Sequence, residues 1–327
     1  MMPGLIVRKD NGDLKWFPLF YYDGRYKFYP PKGENTGREV GRDWHFKKYL
    51  PGYWTPTELP SYRRRIGGGS SLVVLDEDGD LRYFPFRDET FMLRGTGDKV
   101  GKGFRDTLDY YVAEWTGNGT SDLLVRDEDG DLKLFPWDGK GFRDLGRKEK
   151  VGNGFKKDDV PDMYPGYWTG GSIPDLLIRK KNGDLIVFPF NGETFYGQDK
   201  IKVGDDFKPK DYPHLLMGEW LGNGSPDMLA YRDKRLHLYP YGMVNPKKDH
   251  LSFTDDSQWR SEKDFREDWT YLIGDWRSPG RPDLITVNNS NDLWFYPFDN
   301  GNLVDLKGDK QVGNDWKVTH FFDFYPI

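Results

Sequence analysis

No cysteine occurs in the 327 residues, which excludes disulfides, thiolate metal ligands and a cysteine nucleophile together. A chain without disulfides is compatible with a reducing compartment. Histidine is scarce as well: His45, His214, His237, His250 and His320 share neither a metal-ligand spacing nor a common repeat position, so no histidine-based metal or catalytic cluster is indicated. Apolar runs long enough to span a bilayer, about 20 residues, are missing. The opening residues MMPGLIVRKDNG hold no basic stretch followed by an apolar core, so no signal peptide is expected, which predicts a cytoplasmic location or release without a classical signal. An excess of positive charge is also absent. The 48 basic and 53 acidic residues are interspersed and leave a net charge of −5, which offers no field for nucleic acid or anionic lipid. Helical periodicity is missing throughout, and no Ser- or Pro-rich linker divides the chain.

Aromatic residues are what the chain has in abundance, with 12 Trp, 20 Tyr and 22 Phe in a sequence that is 31% charged. They fall in a repeat. The phrase LIVRKDNGDLKWFP at 5–18 returns as LVVLDEDGDLRYFP at 72–85, LLVRDEDGDLKLFP at 123–136 and LLIRKKNGDLIVFP at 176–189. Weaker copies are MLAYRDKRLHLYP at 228–240 and LITVNNSNDLWFYP at 284–297. The leucine after the turn falls at Leu14, Leu81, Leu132, Leu185, Leu236 and Leu293, at intervals of 67, 51, 53, 51 and 57. The 34 residues after Leu293 and the 14 up to Leu14 together make 48, so a sixth interval closes across the termini. Fixed periods of this size mark a solenoid, an array or a propeller.

Each unit reads as four short strands. In the copy at 164–207, Tyr164 to Trp168 is the first strand and Asp175 to Arg179 the second. Asn182-Gly183 is expected to make a two-residue type I′ turn, and Asp184 to Pro189 forms the third strand. Lys202 to Phe207 supplies the outer one. Four antiparallel strands per unit of about 50 residues is a propeller blade. The fold class expected is therefore all-β, a six-bladed propeller, with seven blades as the alternative. The expected blades are 1–48 with 319–327, then 49–108, 109–161, 162–213, 214–269 and 270–318, all in one domain. The C-terminal strand, roughly Phe321 to Pro326, should pair with the N-terminal blade and close the ring, covering edges that an open array exposes.

Two further markers recur with the repeat. A phrase ahead of the second strand ends in Trp54, Trp115, Trp168, Trp220 and Trp276, its sixth place taken by the terminal Phe-Tyr-Pro-Ile327. An outer phrase Val-Gly-x-x-Phe/Trp begins at Val40, Val100, Val151, Val203 and Val312, with Glu262 to Phe265 as a degenerate copy. The leucines and the aromatic-Pro pairs, such as Phe17-Pro18 and Phe188-Pro189, suit packing between blades.

The acidic turns Asp76-Glu-Asp-Gly-Asp80 and Asp127-Glu-Asp-Gly-Asp131 suggest calcium. Calcium takes six to eight oxygens, and other copies place Lys9 and Lys180 where carboxylates would be needed. Hairpin chemistry is the expectation, and neither metal nor cofactor. The phrases Gly117-Asn118-Gly119-Thr-Ser-Asp122 and Gly222-Asn223-Gly224-Ser-Pro-Asp227 are expected as turns tied by the aspartate. If the first strands line a central channel, Glu114, Glu219 and Asp275 are carboxylates that could face it.

At this phrase the chain resembles a known family. Trp-x-Gly-Asn-Gly-x-x-Asp-Leu-Leu, followed by Gly-Asp-Leu and aromatic-Pro, is similar to the FG-GAP or VCBS repeat, and more closely to propeller lectins of the Psathyrella velutina lectin and tachylectin type. The likeness runs over essentially the whole chain. It implies a binding propeller with sugar pockets between neighbouring blades. Calcium-holding repeats of this kind carry an aspartate ahead of Asn-Gly, where this chain has Trp115-Thr116 and Trp220-Leu221.

Residue chemistry gives carbohydrate binding an independent argument, since a sugar needs an aromatic platform for its C–H face and a few oriented polar partners. The candidate ligand-binding residues are Trp54, Trp115, Asn118, Asp122, Arg126, Trp168, Asp175, Arg179, Trp220, Asn223, Asp227, Trp276 and Asp283. Glycans or glycoproteins are the expected partners, bound through several weak sites on one rigid ring. The alternatives are a protein-binding propeller without sugar specificity and, less favoured, a propeller hydrolase or lyase. For a partner-specific surface, the places where symmetry breaks are Phe20 to Gly33 and Tyr241 to Asp264.

Overall fold

The computed structural model describes residues 4–22, 25–28, 37–55, 71–87, 90–91, 97–142, 150–195, 199–244, 251–254, 257, 259–278, 281–299, 302–303, 311–313 and 318–324. It is an all-β ring of six four-stranded antiparallel blades. Blade 2 is Lys48–Gly52, Ser71–Leu75, Asp80–Pro85 and Asp98–Lys102. Blade 3 is Asp109–Ala113, Asp122–Arg126, Leu132–Phe135 and Lys150–Gly152. Blade 4 is Asp162–Gly166, Asp175–Arg179, Leu185–Phe188 and Ile201–Gly204. Blade 5 is Leu215–Gly218, Asp227–Arg232, Arg235–Tyr239 and Trp259–Arg260. Blade 6 is Thr270–Ser278, Arg281–Val287, Leu293–Tyr296 and Gln311–Gly313.

Blade 1 is built from both ends of the chain. Its first strand is the C-terminal Val318–Phe324, which pairs with Gly4–Lys9 in the register Leu5 to Asp323 and Val7 to Phe321. Leu14–Tyr22 and Arg38–Gly41 complete it. The C-terminal strand lies against the first strands of blades 2 and 6, so it completes the inner ring. It starts three residues earlier than Phe321. The symmetry breaks are extra hairpins: Arg25–Phe28 folds onto the end of Leu14–Tyr22, and Tyr241–Val244 pairs with Leu251–Phe253 in blade 5. Of the two segments, residues 23–24, 29–33, 245–250, 255–256 and 258 lie outside the described residues.

One turn differs from its expected form. In blade 4 the Gly183 amide donates to Lys180 O and the Lys180 amide to Asp184 O, which leaves three loop residues with only Gly183 at positive φ. This is a type I turn with a bulge. Blades 1 to 3 close the same way through the Gly12, Gly79 and Gly130 amides, each glycine at positive φ, so the three-residue loop belongs to the repeat; in blade 4 Asn182 Oδ1 also accepts the Asp184 amide at 3.1 Å. The true two-residue turn is Asp233-Lys234 in blade 5, where both φ are positive.

Six apolar clusters fill the six joints between blades. Two aromatic contacts repeat in them. The ring closing each Val-Gly phrase meets the aromatic-Pro ring of the next blade, as in Trp44/Phe84, Phe104/Phe135, Phe155/Phe188, Phe207/Tyr239 and Phe265/Tyr296, at 4.5 to 5.3 Å. The degenerate fifth copy thus keeps its function through Phe265. Nearer the axis, Trp54, Trp115, Trp168 and Trp220 meet Trp137, Phe190, Tyr241 and Phe298 of the following blade, at 5.2 to 6.0 Å. Such pairs add about 0.5–1.5 kcal/mol each beyond burial.

Outer edges are covered in two ways. The amides of Phe91, Phe142 and Phe195 donate to Val40, Val100 and Val151 of the preceding blade. Lys99, Lys150 and Lys202 on the outer strands pair with Asp80, Asp131 and Asp184, which puts charge on the edge.

Tyr241 fills a position held by Phe86, Phe190 and Phe298 in other blades, and its buried hydroxyl has no partner. Tyr241→Phe should therefore stabilise the fold by about 1 kcal/mol, read as a rise of roughly 2 °C in thermal midpoint. A lower midpoint would refute this account.

Candidate functional site

The loops joining first to second strands share one face of the ring with the segments that follow the third strands. A carboxylate ties the two together in blades 3 to 6. Asp122 accepts the Thr116 amide at 2.8 Å, the Thr116 hydroxyl at 2.9 Å and the Trp137 amide at 2.9 Å. Asp175 takes the Thr169 amide and hydroxyl and the Phe190 amide. Asp227 takes the Leu221 and Tyr241 amides. In blade 6, Asp283 holds the Phe298 amide and Arg277, which also reaches Asp299. All four aspartates are buried. They are clamps with no free acceptor face, which corrects their assignment as ligand contacts.

In blades 3 and 5 a second carboxylate holds the far end of the loop. Glu114 Oε1 accepts the Gly119 amide at 2.7 Å, and Glu219 Oε1 accepts the Gly224 amide at 2.6 Å. Asn118 Oδ1 takes the Thr120 amide and hydroxyl while its Nδ2 donates to Trp137 O. Asn223 Oδ1 takes the Ser225 amide. Both asparagines remain exposed, and they are the candidate residues that stay available to a ligand.

The tryptophans do not. Trp54, Trp115, Trp168, Trp220 and Trp276 are at most 4% exposed. The first four donate Nε1 to a carbonyl four residues earlier. No indole face is open to a sugar ring, so the platform reading is corrected to a packing one. Arg126 and Arg179 are clips between blades. Arg126 pairs with Asp109 and donates to Phe155 O and Val160 O, and Arg179 pairs with Asp162 and donates to Tyr212 O. Each sits four residues along an extended strand from its clamp, about 13 Å away, so the motif is two sites rather than one.

The acidic turns hold themselves. Asp76 Oδ1 accepts the Asp78 and Asp80 amides while Oδ2 meets Arg82, and Asp127 does the same with Asp129, Asp131 and Lys133. Among the described residues no three His, Asp or Glu side chains come together as metal ligands. No helix among them is long and apolar enough to cross a membrane.

A surface recess of about 90 Å³ opens after the third strand of blade 4, lined by Phe188, Pro189, Phe190, Asn191, Thr194, Phe195, Asp199 and Lys200. Asn191 Oδ1 shapes its turn by accepting the Glu193 and Thr194 amides. An aromatic and proline wall beside amide, hydroxyl, carboxylate and ammonium groups suits a small amphipathic ligand. None of its residues was among the sequence candidates.

Burial pushes the Asp122 and Asp227 carboxyls up to about 6, with Glu114 and Glu219 adding to the effect. In Asp76 and Asp127 partial burial works the other way and is outweighed by the basic partner and the turn amides, which hold both below the usual carboxylate range. A folded pKa above the unfolded value means that stability is fully present at low pH and is lost as pH rises through 6. Lowering the pH from 7 to 5 should therefore add about 1 kcal/mol from each of Asp122 and Asp227. The loss from Asp76 and Asp127 begins only below pH 4. Urea melts should show stability rising from pH 7 to a maximum near pH 4, and a maximum at pH 7 or above would contradict the assignment.

No family model matches the chain, and no curated protein matches its sequence. Solved structures do match in fold. A lectin of Agrocybe aegerita, solved for its specific recognition of non-reducing terminal N-acetylglucosamine, superposes with a TM-score of 0.56 at 16% identity, over 92% of this chain and 74% of that one. The Tc holotoxin pore of Photorhabdus luminescens gives 0.50 at 13% identity, over 97% of this chain and 14% of that one. At these identities the likeness is one of architecture.

Proposed function

We propose that this protein is a multivalent glycan-binding propeller that holds sugars without transforming them. The observation that carries the reading is the blade 4 recess, where a half-buried ring stands beside amide, hydroxyl, carboxylate and ammonium groups on a ring of repeated units. The architecture it shares with the Agrocybe aegerita lectin supports the same reading. A recess of about 90 Å³ is well below the ~300–1,000 Å³ of ligand-engulfing pockets. It would seat one face of a sugar ring and bind weakly, the regime in which several linked sites gain most. Catalysis is disfavoured because the buried aspartates Asp122, Asp175, Asp227 and Asp283 are spent as clamps, and the recess holds a single carboxylate, Asp199. Exposed Asn118 and Asn223 are proposed as further sugar contacts in blades 3 and 5.

A glycan array tests the reading. Saturable binding, competed by a free monosaccharide at millimolar concentration, is the expected outcome. Silence across a broad array would refute it.

A further inference from the structure

The aromatic-Pro ring is not covered equally in all blades. Phe17, Phe84, Tyr239 and Tyr296 are buried, while Phe135 and Phe188 are only half-buried. In blades 1 and 2 the cover is backbone. Gly37 and Gly97 stand three residues ahead of the Val-Gly pair with φ of +75° and +63°. A Cβ at either would lie 2.3 Å from a ring carbon of Phe17 or 2.6 Å from one of Phe84. Only glycine can lay its main chain on the ring at that distance. In blade 4 this position is Lys200, and the recess opens there, between Phe188 and the Asp199-Lys200 pair.

We infer that the Phe188 recess of blade 4 is a stacking subsite for a neutral pyranose, and that Gly37 and Gly97 close the corresponding subsites of blades 1 and 2. The inference rests on the glycan-binding reading above and adds which blades serve it. Phe188 is held from behind by an edge-to-face contact with Phe155 at 5.1 Å, so its free face needs little ordering when a ligand arrives. A pyranose laid on it by its C–H face would find an acceptor in Asp199, a donor in Lys200 and both in Asn191 and Thr194. Opposite charges side by side suit an uncharged polyol.

The test uses the full chain and the array's best neutral monosaccharide, titrated into isotopically labelled protein. Saturable shifts of the Asn191, Thr194 and Lys200 amides are expected, with the Gly37 and Gly97 amides unmoved. Phe188→Leu, which keeps the apolar wedge and removes the aromatic face, should weaken binding read at those amides at least tenfold. Lys200→Gly, which restores the backbone cover, should do the same with an unchanged melting curve, and it keeps the test decisive should Phe188→Leu misfold. Sugar-induced shifts confined to other blades, or full binding by both variants, would overturn the subsite assignment and leave glycan binding standing. An unresponsive array would overturn both.

Discussion

Deletion of residues 318–327 should abolish cooperative folding of the ring. The strand Val318–Phe324 is the sole partner of Gly4–Lys9 on its inner side and touches the first strands of both neighbouring blades. Without it, Leu5, Ile6 and Val7, now at most 1% exposed, would sit on an open edge. Each lost ladder hydrogen bond costs about 1 kcal/mol net, and the burial of Leu5, Ile6 and Val7 is reduced with them. The sum is comparable to the whole net stability of a domain, about 5–15 kcal/mol. The expected product is an aggregating chain without a thermal transition, since the exposed edge is itself a pairing template. Supplying a peptide of residues 317–327 in trans should recover part of the native circular dichroism and the monomer peak in size exclusion. A truncated chain that melts cooperatively near the wild-type temperature would show that closure does not hold the ring.

The ring was legible in the sequence because its signals are periodic and local. Leucine spacing, the Gly-Asp turns and the Val-Gly phrases each report one strand or turn, and the terminal splice follows from their arithmetic. The site was less legible because burial is set by the neighbouring blade, which lies about 50 residues away. Trp168 looks the same in sequence whether it faces solvent or, as here, the ring of Tyr241 at 5.2 Å. Arg126 looks like a partner of Asp122 until the strand between them is seen to carry it to the other face. The recess carried a weak signal after all. Three residues ahead of the outer phrase stand Gly37 and Gly97 in two copies and Lys148, Lys200 and Asp309 in the others. Its meaning appears only once the ring beneath it is known. The turn at Asn182-Gly183 differs from the two-residue form for a smaller reason: the Gly183 amide closes on Lys180 O, the three-residue loop that blades 1 to 3 also make.

Asp122→Ala should be among the most costly single substitutions in the chain, although the aspartate makes no contact with solvent. It removes the acceptor of two amides, at Thr116 and Trp137, and of the Thr116 hydroxyl. The hydroxyl can turn to water because Thr116 is exposed. The Trp137 amide cannot, because Trp137 is buried. Two amides left short of partners cost about 1–3 kcal/mol each. Against this stands the relief of an ionised buried carboxylate whose pKa is pushed up to about 6. The net loss expected at pH 7 is about 3 kcal/mol. At pH 5 the wild-type carboxyl is protonated and the wild type is more stable, so the loss should grow by about 1 kcal/mol. Thr116→Ala removes only the hydroxyl and should cost less than about 1 kcal/mol. The joint between blades 2 and 3 should loosen in Asp122→Ala and be seen as a changed near-ultraviolet signal from the Trp54/Trp137 pair. Urea melts of both variants at the two pH values decide the matter. A loss under 1 kcal/mol, or one that shrinks on going from pH 7 to pH 5, would mean that the clamp does not hold the loop and that the carboxylate is free for another role.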